Sequence, residues 1–466
     1  MSGIGMRGAV PAERAVAVGE VRVALHGARR VVVLDDDPTG TQTVRDVPVV
    51  TRWDPGTLRW AFEQPTPGFF ILTNTRSLSA ADAAALTRSI AAACLAVAEE
   101  MSVDIAFASR SDSTLRGHFP LETDVLSEVC AAHGRPIDAV FLVPAYIDAG
   151  RLTVDGVQWV EVQGTLVPAA DTPFAADATF GYRSSRLDEW VEEKSSGRIP
   201  SPSVQTVTLG ELRTGDISAL ADRLTALSGG VVVIVEAATD DDLRAATIAI
   251  LRAESRGRRF LYRTGPSFVR ARLGQAGREP VADERLRDIL ADRRRTGLIV
   301  VGSHVPLTTR QLERLRSSRP LPTFTIDVAS LVRDDDEAAE EMSARVSRAL
   351  ETSDVILETS RELVRGENPE DSLAIARRVS RRLTDVVRDV VRASPPRFIV
   401  AKGGITSSDV ATEGLGIRVA WVRGPLLPGI VSLWQAPDDD AIPYAVFAGN
   451  VGDEDALVDV IERLSA

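Results

Sequence analysis

The sequence predicts an α/β protein built of two tandem α/β domains with mainly parallel sheets and a ligand cleft between them. Three observations carry this. Short β-branched runs alternate with Ala/Arg/Leu-rich helical stretches along nearly the whole chain, the rhythm of parallel strands joined by crossover helices. The pattern is interrupted near Arg263–Pro280, by Gly265-Pro266, Gly274, Gly277 and Pro280, and then begins again. The 466 residues also exceed one ordinary core. The expected division is a lead-in over 1–30, a first domain over 31–270 and a second over 285–466.

In the first domain the strand-like runs are Val31–Leu34, Phe69–Thr73, Ile105–Ala108, Ala139–Val143, Val231–Val235 and Phe260–Tyr262. Continuous apolar runs of this length suit strands buried on both faces. Ala80–Met101 and Phe119–His133 read as helices between them. Asp171–Pro202 is polar and broken by Pro and Gly, so it reads as a surface excursion with a helix near Arg186–Lys194. The second series runs Leu298–Val301, Phe324–Val328, Val355–Glu358, Phe398–Ala401, Val419–Val422, Val431–Leu433 and Ala445–Phe447. Its helices include Leu307–Ser317, Asp336–Glu351 and Pro369–Arg392.

Composition narrows the function classes. A hydrophobic content of 44% and a charged content of 26% are those of a globular protein. A net charge of −12 argues against nucleic acid as a partner. Cys94 and Cys130 lack a His or Cys at metal-ligand spacing and read as buried thiols. Met1–Arg30 holds no apolar run long enough for a signal peptide, and no segment reads as a membrane span, so a cytoplasmic location is expected.

The candidate chemistry starts where the first strand ends, in Asp35-Asp36-Asp37-Pro38-Thr39-Gly40-Thr41-Gln42-Thr43. An open α/β sheet builds its ligand crevice from such strand ends. Three adjacent carboxylates are costly unless a substrate, a cation or water separates their charge; the plain alternative is a solvated acidic turn. Other strand ends are similarly equipped: Thr73-Asn74-Thr75-Arg76-Ser77, Ser109-Arg110-Ser111-Asp112-Ser113-Thr114-Leu115-Arg116-Gly117-His118, and Pro144-Ala145-Tyr146 followed by Gly150-Arg151-Leu152-Thr153. Taken singly, each is more often a helix cap. Together, Arg76, Arg116 and Arg151 offer guanidinium forks for a carboxylate. Asp35, Asp36, Asp112, Asn74 and threonines such as Thr39 suit several hydroxyls, so the set describes a small polyhydroxy acid. His118, at a helix start, is more often structural.

In the second domain Lys402-Gly403-Gly404-Ile405-Thr406-Ser407-Ser408-Asp409 follows a strand and opens a helix. Glycines admit a phosphate to the backbone and the helix start supplies N–H donors. Gly302-Ser303-His304 and Ala448-Gly449-Asn450-Val451-Gly452 follow two further strands, and the three loops would line a nucleotide site, with Lys402 as a phosphate partner. Neither a GxxxxGK[ST] loop nor a GxGxxG fingerprint occurs, which weighs against a dehydrogenase. Asp438-Asp439-Asp440 reads as a solvated loop.

The combination of Asp36-x-x-Thr39-Gly40, Asp112-Ser113-Thr114-Leu115-Arg116-Gly117, Pro144-Ala145…Gly150-Arg151 and Gly403-Gly404-x-Thr406-Ser407 resembles the four-carbon acid sugar kinases, long catalogued as a domain of unknown function. The resemblance spans about Val31 to Gly452, with the motifs in the same order. It implies an N-terminal domain for the sugar acid and a C-terminal domain for ATP. The implied activity is ATP-dependent phosphorylation of the 4-hydroxyl of 3-oxo-tetronate, threonate or erythronate. Carried over, the ATP site includes Ser303, Gly403, Gly404, Ile405, Thr406 and Gly449, while Asp112 and Arg116 contact the acid. The commoner patterns DD-F-TG, GG-E-T-S and S-G-N-F-G are altered here at Pro38, Ile405, Ala448 and Val451, as in a distinct DDDPTGTQ branch.

On this reading Asp36 orients or deprotonates the attacking hydroxyl, with Asp112 beside it. Asp35 or Asp37 lies near Mg²⁺, with Asp37 as the metal candidate. Asp35, Thr39, Asn74, Arg76, Arg116 and Arg151 complete the acid site. The expected partners are the sugar acid and ATP, without nucleic acid or membrane, and a homodimer is the candidate assembly. The alternatives are a kinase of another small hydroxy acid and a non-catalytic sugar-acid sensor.

Overall fold

The computed structural model describes residues 10–277, 279–290, 296–327, 336–361, 369–438 and 441–466. The chain divides into two compact units, Met1–Gly277 and Arg278–Ala466. The acidic run at Asp438 continues into residues 439 and 440, and the strand expected to end at Val328 into residue 328; these lie outside the described residues.

Unit 1 opens with α1 (Val18–Ala24), β1 (Arg30–Asp35), β2 (Val47–Val50), α2 (Pro55–Glu63), β3 (Gly68–Leu72), α3 (Ala80–Glu100), β4 (Ile105–Arg110), α4 (Leu121–Ala132) and β5 (Ala139–Val143). Next come β6 (Arg151–Val154), β7 (Val157–Val162), β8 (Thr165–Pro168), α5 (Leu187–Lys194), β9 (Gln205–Val207), α6 (Leu209–Thr214) and α7 (Ile217–Thr225). The unit closes with β10 (Val231–Val235), α8 (Asp240–Ser255), β11 (Phe260–Thr264) and α9 (Pro266–Arg272).

Its main sheet runs β2-β3-β1-β4-β11-β5-β10-β9, with every neighbouring pair parallel. The central strands are buried along almost their whole length, as a sheet covered by helices on both faces requires. α2, α3 and α4 pack side by side, and α1, α6, α7, α8 and α9 form a second group. α3 is long and apolar enough to cross a membrane by length and composition. Here it packs against α4 and buries Ile90, Ala91, Cys94 and Leu95. Cys94 and Cys130 are free and buried, on α3 and α4, and burial pushes the Cys130 thiol up to about 11.

One part of unit 1 departs from the expectation. Arg151–Thr153, expected in a strand-end loop, opens β6 of a separate antiparallel sheet, β6-β7-β8. Its two tight turns are Asp155-Gly156 (φ 51 and 72) and Gln163-Gly164 (φ 51 and 78), the paired positive φ of a type I′ hairpin turn.

Unit 2 contains α10 (Asp283–Leu290), β12 (Leu298–Val301), α11 (Pro306–Ser318), β13 (Thr323–Ile326), α12 (Asp336–Ala349) and β14 (Val355–Thr359). It continues with α13 (Pro369–Ala393), β15 (Ile399–Lys402), α14 (Gly404–Asp409), β16 (Val419–Pro425), β17 (Val431–Gln435), β18 (Tyr444–Phe447) and α15 (Ala456–Ser465). The order β13-β14-β12-β15-β18 is parallel, and β17 joins β18 and β16 antiparallel. Ile299, Val301, Leu312, Phe398, Leu433 and Ile461 are among the residues of one buried cluster beneath it.

The strand orders locate the crevices. In unit 1 the chain leaves β1 toward β2 and leaves β4 toward β5, on opposite sides. In unit 2 it leaves β12 toward β13 and β15 toward the side of β16. An open parallel sheet binds ligands at such reversals, beyond the carboxyl ends of its strands. The strand pairs β1/β4 and β12/β15 are those that end in the acidic and glycine-rich motifs.

Candidate functional site

In unit 1 the parallel register sets Asp35 opposite Leu72 on one side and Arg110 on the other. Arg110 Nη1 donates to Asp35 Oδ1 at 2.7 Å and to the Asp37 carbonyl at 3.2 Å. Arg76 grips Asp36 with two donors, Nη2 to Oδ1 at 2.5 Å and Nε to Oδ2 at 3.1 Å. Its Nη1 reaches Asp37 Oδ2 at 3.3 Å. Ser111 Oγ donates to Asp36 Oδ2 at 2.5 Å. The charge that the sequence leaves to a ligand, a cation or water is thus met in part by two of the protein's own guanidinium groups. Arg76 is committed to these acids and does not stand as a free carboxylate fork.

The three acids differ in environment. Asp35 is buried beneath Gly40, where a Cβ would collide with its carboxylate. Burial, reinforced by the charges of Asp36 and Asp37, pushes its carboxyl up to about 7 against the pull of Arg110. Asp37 is drawn the other way: burial opposes ionisation, but Arg76, Arg110 and the donors of Thr39 outweigh it and hold the carboxyl below its ordinary value. Asp37 Oδ1 accepts from Thr39 N at 2.9 Å and from Thr39 Oγ1 at 2.6 Å, capping the turn Pro38–Thr43. Asp37 Oδ1 is thus occupied by Thr39, while Oδ2 accepts from Arg76 at 3.3 Å. Among the described residues no group of three His, Cys, Asp or Glu side chains is arranged to hold a metal ion.

The loop Asp112–Gly117 folds back onto this cluster. Ser111 Oγ and Arg263 Nη2 each lie 3.1 Å from the Arg116 carbonyl. Gly117 has φ 121, and a Cβ there would strike Ser111 Oγ and crowd Asp36. Asp112 accepts from Thr114 Oγ1 and, at 2.7 Å, from Arg116 Nε. Burial disfavours its charge, but Arg76, Arg116 and these donors hold the carboxyl well below the usual range. Glu122 lies underneath, accepting from Thr75 Oγ1 and Ser109 Oγ, each at 2.6 Å. Asn74 caps the turn Thr75–Ser77 with a left-handed backbone, φ 53.

The structure therefore gathers Asp35, Asp36, Asp37, Thr39, Arg76, Asp112 and Arg116 at one crevice. The Arg151 guanidinium lies over the Tyr146 ring at 5.5 Å, and among the described residues no ion pair ties it to these acids. His118 is structural, its Nε2 lying 3.0 Å from the Thr75 carbonyl and 3.2 Å from that of Leu78. Arg110 and Arg263, buried at 4% and 2% exposure, were not singled out by sequence. The stretch expected to wander over the surface instead packs on the Asp112–Gly117 loop. Tyr182 Oη donates to the Thr114 carbonyl at 2.7 Å, and the Phe174 ring lies 5.0 Å from the Arg116 guanidinium carbon.

In unit 2 the three glycine loops converge. A Cβ on Gly302 would collide with Thr406, one on Gly449 with Ser303, and one on Gly403 (φ 127) would crowd both Ser303 and Thr406. Thr308 Oγ1 ties the first loop to the third, 3.2 Å from Ser303 Oγ and 3.0 Å from the Gly449 carbonyl. Ser303, Gly403, Gly404, Thr406 and Gly449 are thus brought together. The glycines let the three loops close on one another's side chains, and the hydroxyls and loop backbone gathered there are the groups that hold a phosphate.

Lys402 does not face that space as a free phosphate partner. It is fully buried, donating to the Ala448 carbonyl at 2.9 Å and sitting 3.5 Å over the Phe447 ring; burial pulls its ammonium down to about 7. Among the described residues a cation that does reach the loops is Arg361, just past β14. It donates from Nη1 to the Ser303 carbonyl at 2.6 Å and from Nη2 to Thr309 Oγ1 at 2.7 Å. Ile405 and Val305, exposed at 62% and 39%, follow the second and first loops.

Residues 31–272 match the family model of a sugar-binding N-terminal domain, and residues 298–457 that of a nucleotide-binding C-terminal domain. The chain belongs to the four-carbon acid sugar kinase family. No curated protein matches its sequence significantly. Solved relatives share the fold. A Salmonella typhimurium LT2 protein, provisionally named a tRNA synthase, is 18% identical with a TM-score of 0.66, over 92% of this chain and 98% of that one. The Haemophilus influenzae protein HI1011, of the DUF1537 family, is 17% identical with a TM-score of 0.60, over 93% and 100%. Within the family's two-domain plan, the acidic crevice falls in the sugar-binding domain and the converging glycine loops in the nucleotide-binding domain.

Proposed function

We propose that this family member is an ATP-dependent kinase acting on the 4-hydroxyl of a four-carbon sugar acid, 3-oxo-tetronate, threonate or erythronate. The observation that carries the reading is the convergence of Gly302, Gly403 and Gly449 around Ser303 and Thr406, in a chain whose other unit gathers acids and guanidinium groups at its own crevice. ATP supplies the γ-phosphoryl group. The hydroxyl oxygen forms the new bond to phosphorus, the bond to the bridging oxygen breaks, ADP leaves and the hydroxyl proton passes to the Asp36 carboxylate. Such transfers pass through a loose transition state, so positioning and charge neutralisation carry most of the catalysis.

The residues divide accordingly. Arg116, held by Asp112 along one edge, takes the substrate carboxylate, and Thr39 and Asn74 take hydroxyls. Asp36, fixed by Arg76 and Ser111, orients the attacking hydroxyl, and Asp112 stands beside it. Asp35 is a buried electrostatic support. The loop amides at Gly302, Gly403, Gly404 and Gly449, with Ser303 and Thr406, hold the nucleotide phosphates, while Ile405 and Val305 give the base an apolar surface. The reading places the protein in the cytoplasm, where ATP is available. A net charge of −12 gives no support to transferring the tRNA description of the Salmonella relative.

ADP release with Mg-ATP and a panel of D- and L-threonate, D- and L-erythronate and 3-oxo-tetronates tests the proposal. Turnover with one acid and none without it is the expected result. Absence of turnover with every acid, alongside thermal stabilisation by one of them, would replace the kinase by a sensor.

A further inference from the structure

Arg116 is held unevenly. Along one edge Nε donates to Asp112 at 2.7 Å. On the other, Nη1 is 3.6 Å from Asp177 Oδ2, an ion pair too long for a hydrogen bond. Asp177 is not loosely placed. Its Oδ1 accepts from Thr179 N at 2.9 Å and from Phe180 N at 3.0 Å, which leaves Oδ2 turned to the guanidinium.

The segment carrying it is built into the unit. Besides the Tyr182 bond to Thr114, Tyr182 N donates to the Ala175 carbonyl at 3.1 Å. Lys194 Nζ donates to the Gly181 carbonyl at 3.1 Å, and the Phe180 ring meets His118 edge-on at 4.9 Å. Phe174 supports the guanidinium at 5.0 Å. Arg116 keeps 21% exposure and Asp177 28%, so a small ligand reaches the pair.

We infer that Asp177 is a resident stand-in for the substrate carboxylate at Arg116, and that its charge selects singly charged acids over dicarboxylates. This rests on the sugar-acid reading above. A carboxylate entering the fork gains two charge-assisted N–H bonds, whereas Asp177 forfeits only a long, partly solvated pair. Asp112 and Asp177 both flank the one guanidinium, so a second negative group placed on the Asp177 side meets a carboxylate there. The acid is admitted by displacing Asp177's influence and the diacid is turned away by it.

The test is Asp177→Asn, which keeps an oxygen to accept from Thr179 and Phe180. KM for the monocarboxylate should fall by about threefold to fivefold, the scale of a partly exposed ion pair, with kcat within twofold. Inhibition by a four-carbon dicarboxylate such as tartrate should tighten by more than that. Tyr182→Phe loosens the same segment without touching the charge, and should raise KM while leaving the preference between mono- and dicarboxylates unchanged. If Asp177→Asn leaves that preference unchanged, or raises KM as Tyr182→Phe does, Asp177 is merely structural and the inference falls. Calorimetry on the wild-type protein separates the two levels. Failure of every four-carbon acid to bind defeats the sugar-acid reading itself, whereas binding that is indifferent to Asp177→Asn defeats the selectivity inference alone.

Discussion

Of the roughly four acceptor positions on an ionised carboxylate, Asp36 gives two to Arg76 and one to Ser111. One remains, so Asp36 can direct a single hydroxyl and little else. Asp36→Asn should lower kcat by about 100-fold or more, because an amide cannot accept from both Arg76 and Ser111 in the same geometry. Asp36→Glu should cost as much, since the longer arm pushes the carboxylate out of the Arg76 fork. ADP release measured on folded variants checks both, and a few-fold effect from Asp36→Asn would remove the residue from the mechanism. Asp35 makes a different prediction. Its folded carboxyl lies near 7, above the ordinary value near 4. Between those limits the folded state holds a proton that the unfolded state has lost, so stability falls as pH rises from about 4 to 7. The loss is on the order of a few kcal/mol. Asp35→Asn removes this ionisation, so its melting temperature should decline less over that pH range than that of the wild type.

At the scale of elements, what sequence showed and what it hid divide along a physical line. Val31–Asp35 announced itself by composition, because a strand buried on both faces must be apolar until it emerges. The glycine loops showed for a similar reason: their residue types are local requirements. Arg110 and Arg263 did not show, because an arginine in a strand gains its meaning from the neighbouring strand. Arg110 matters because register sets it opposite Asp35, and Arg263 because β11 lies beside β4. Arg361 is the same case at the end of β14. The β6–β8 hairpins were legible and were missed, since Asp155-Gly156 is a strong turn signal. Lys402 misled: a lysine at a strand end is normally solvated, but here β18 covers it. The glycine loops yield a test. Gly302→Val places branched carbons against Thr406, itself β-branched and unable to yield. The nucleotide KM should rise at least about tenfold for a stability cost of about 1–3 kcal/mol, while binding of the sugar acid by calorimetry should be unaffected.

For the whole molecule, the two-domain plan was visible because the α/β rhythm stops and restarts near Gly265–Pro280, and the chain divides at Gly277. Each unit places its motif at the reversal of its own strand order. Assigning one ligand to each motif predicts how the protein responds to heating. A ligand at about one hundred times its dissociation constant stabilises the form that binds it by about 2.7 kcal/mol. The sugar acid and a non-hydrolysable ATP analogue should each raise the melting temperature when added alone. Arg116→Ala should abolish the shift from the acid and keep that from the nucleotide, and Gly302→Val should do the reverse. If unfolding shows two transitions, each ligand should move a different one; if it shows one, both should move it, and the variants should still erase only their own shift. Loss of both shifts from either substitution would mean that the acidic crevice and the glycine loops do not recognise their ligands separately.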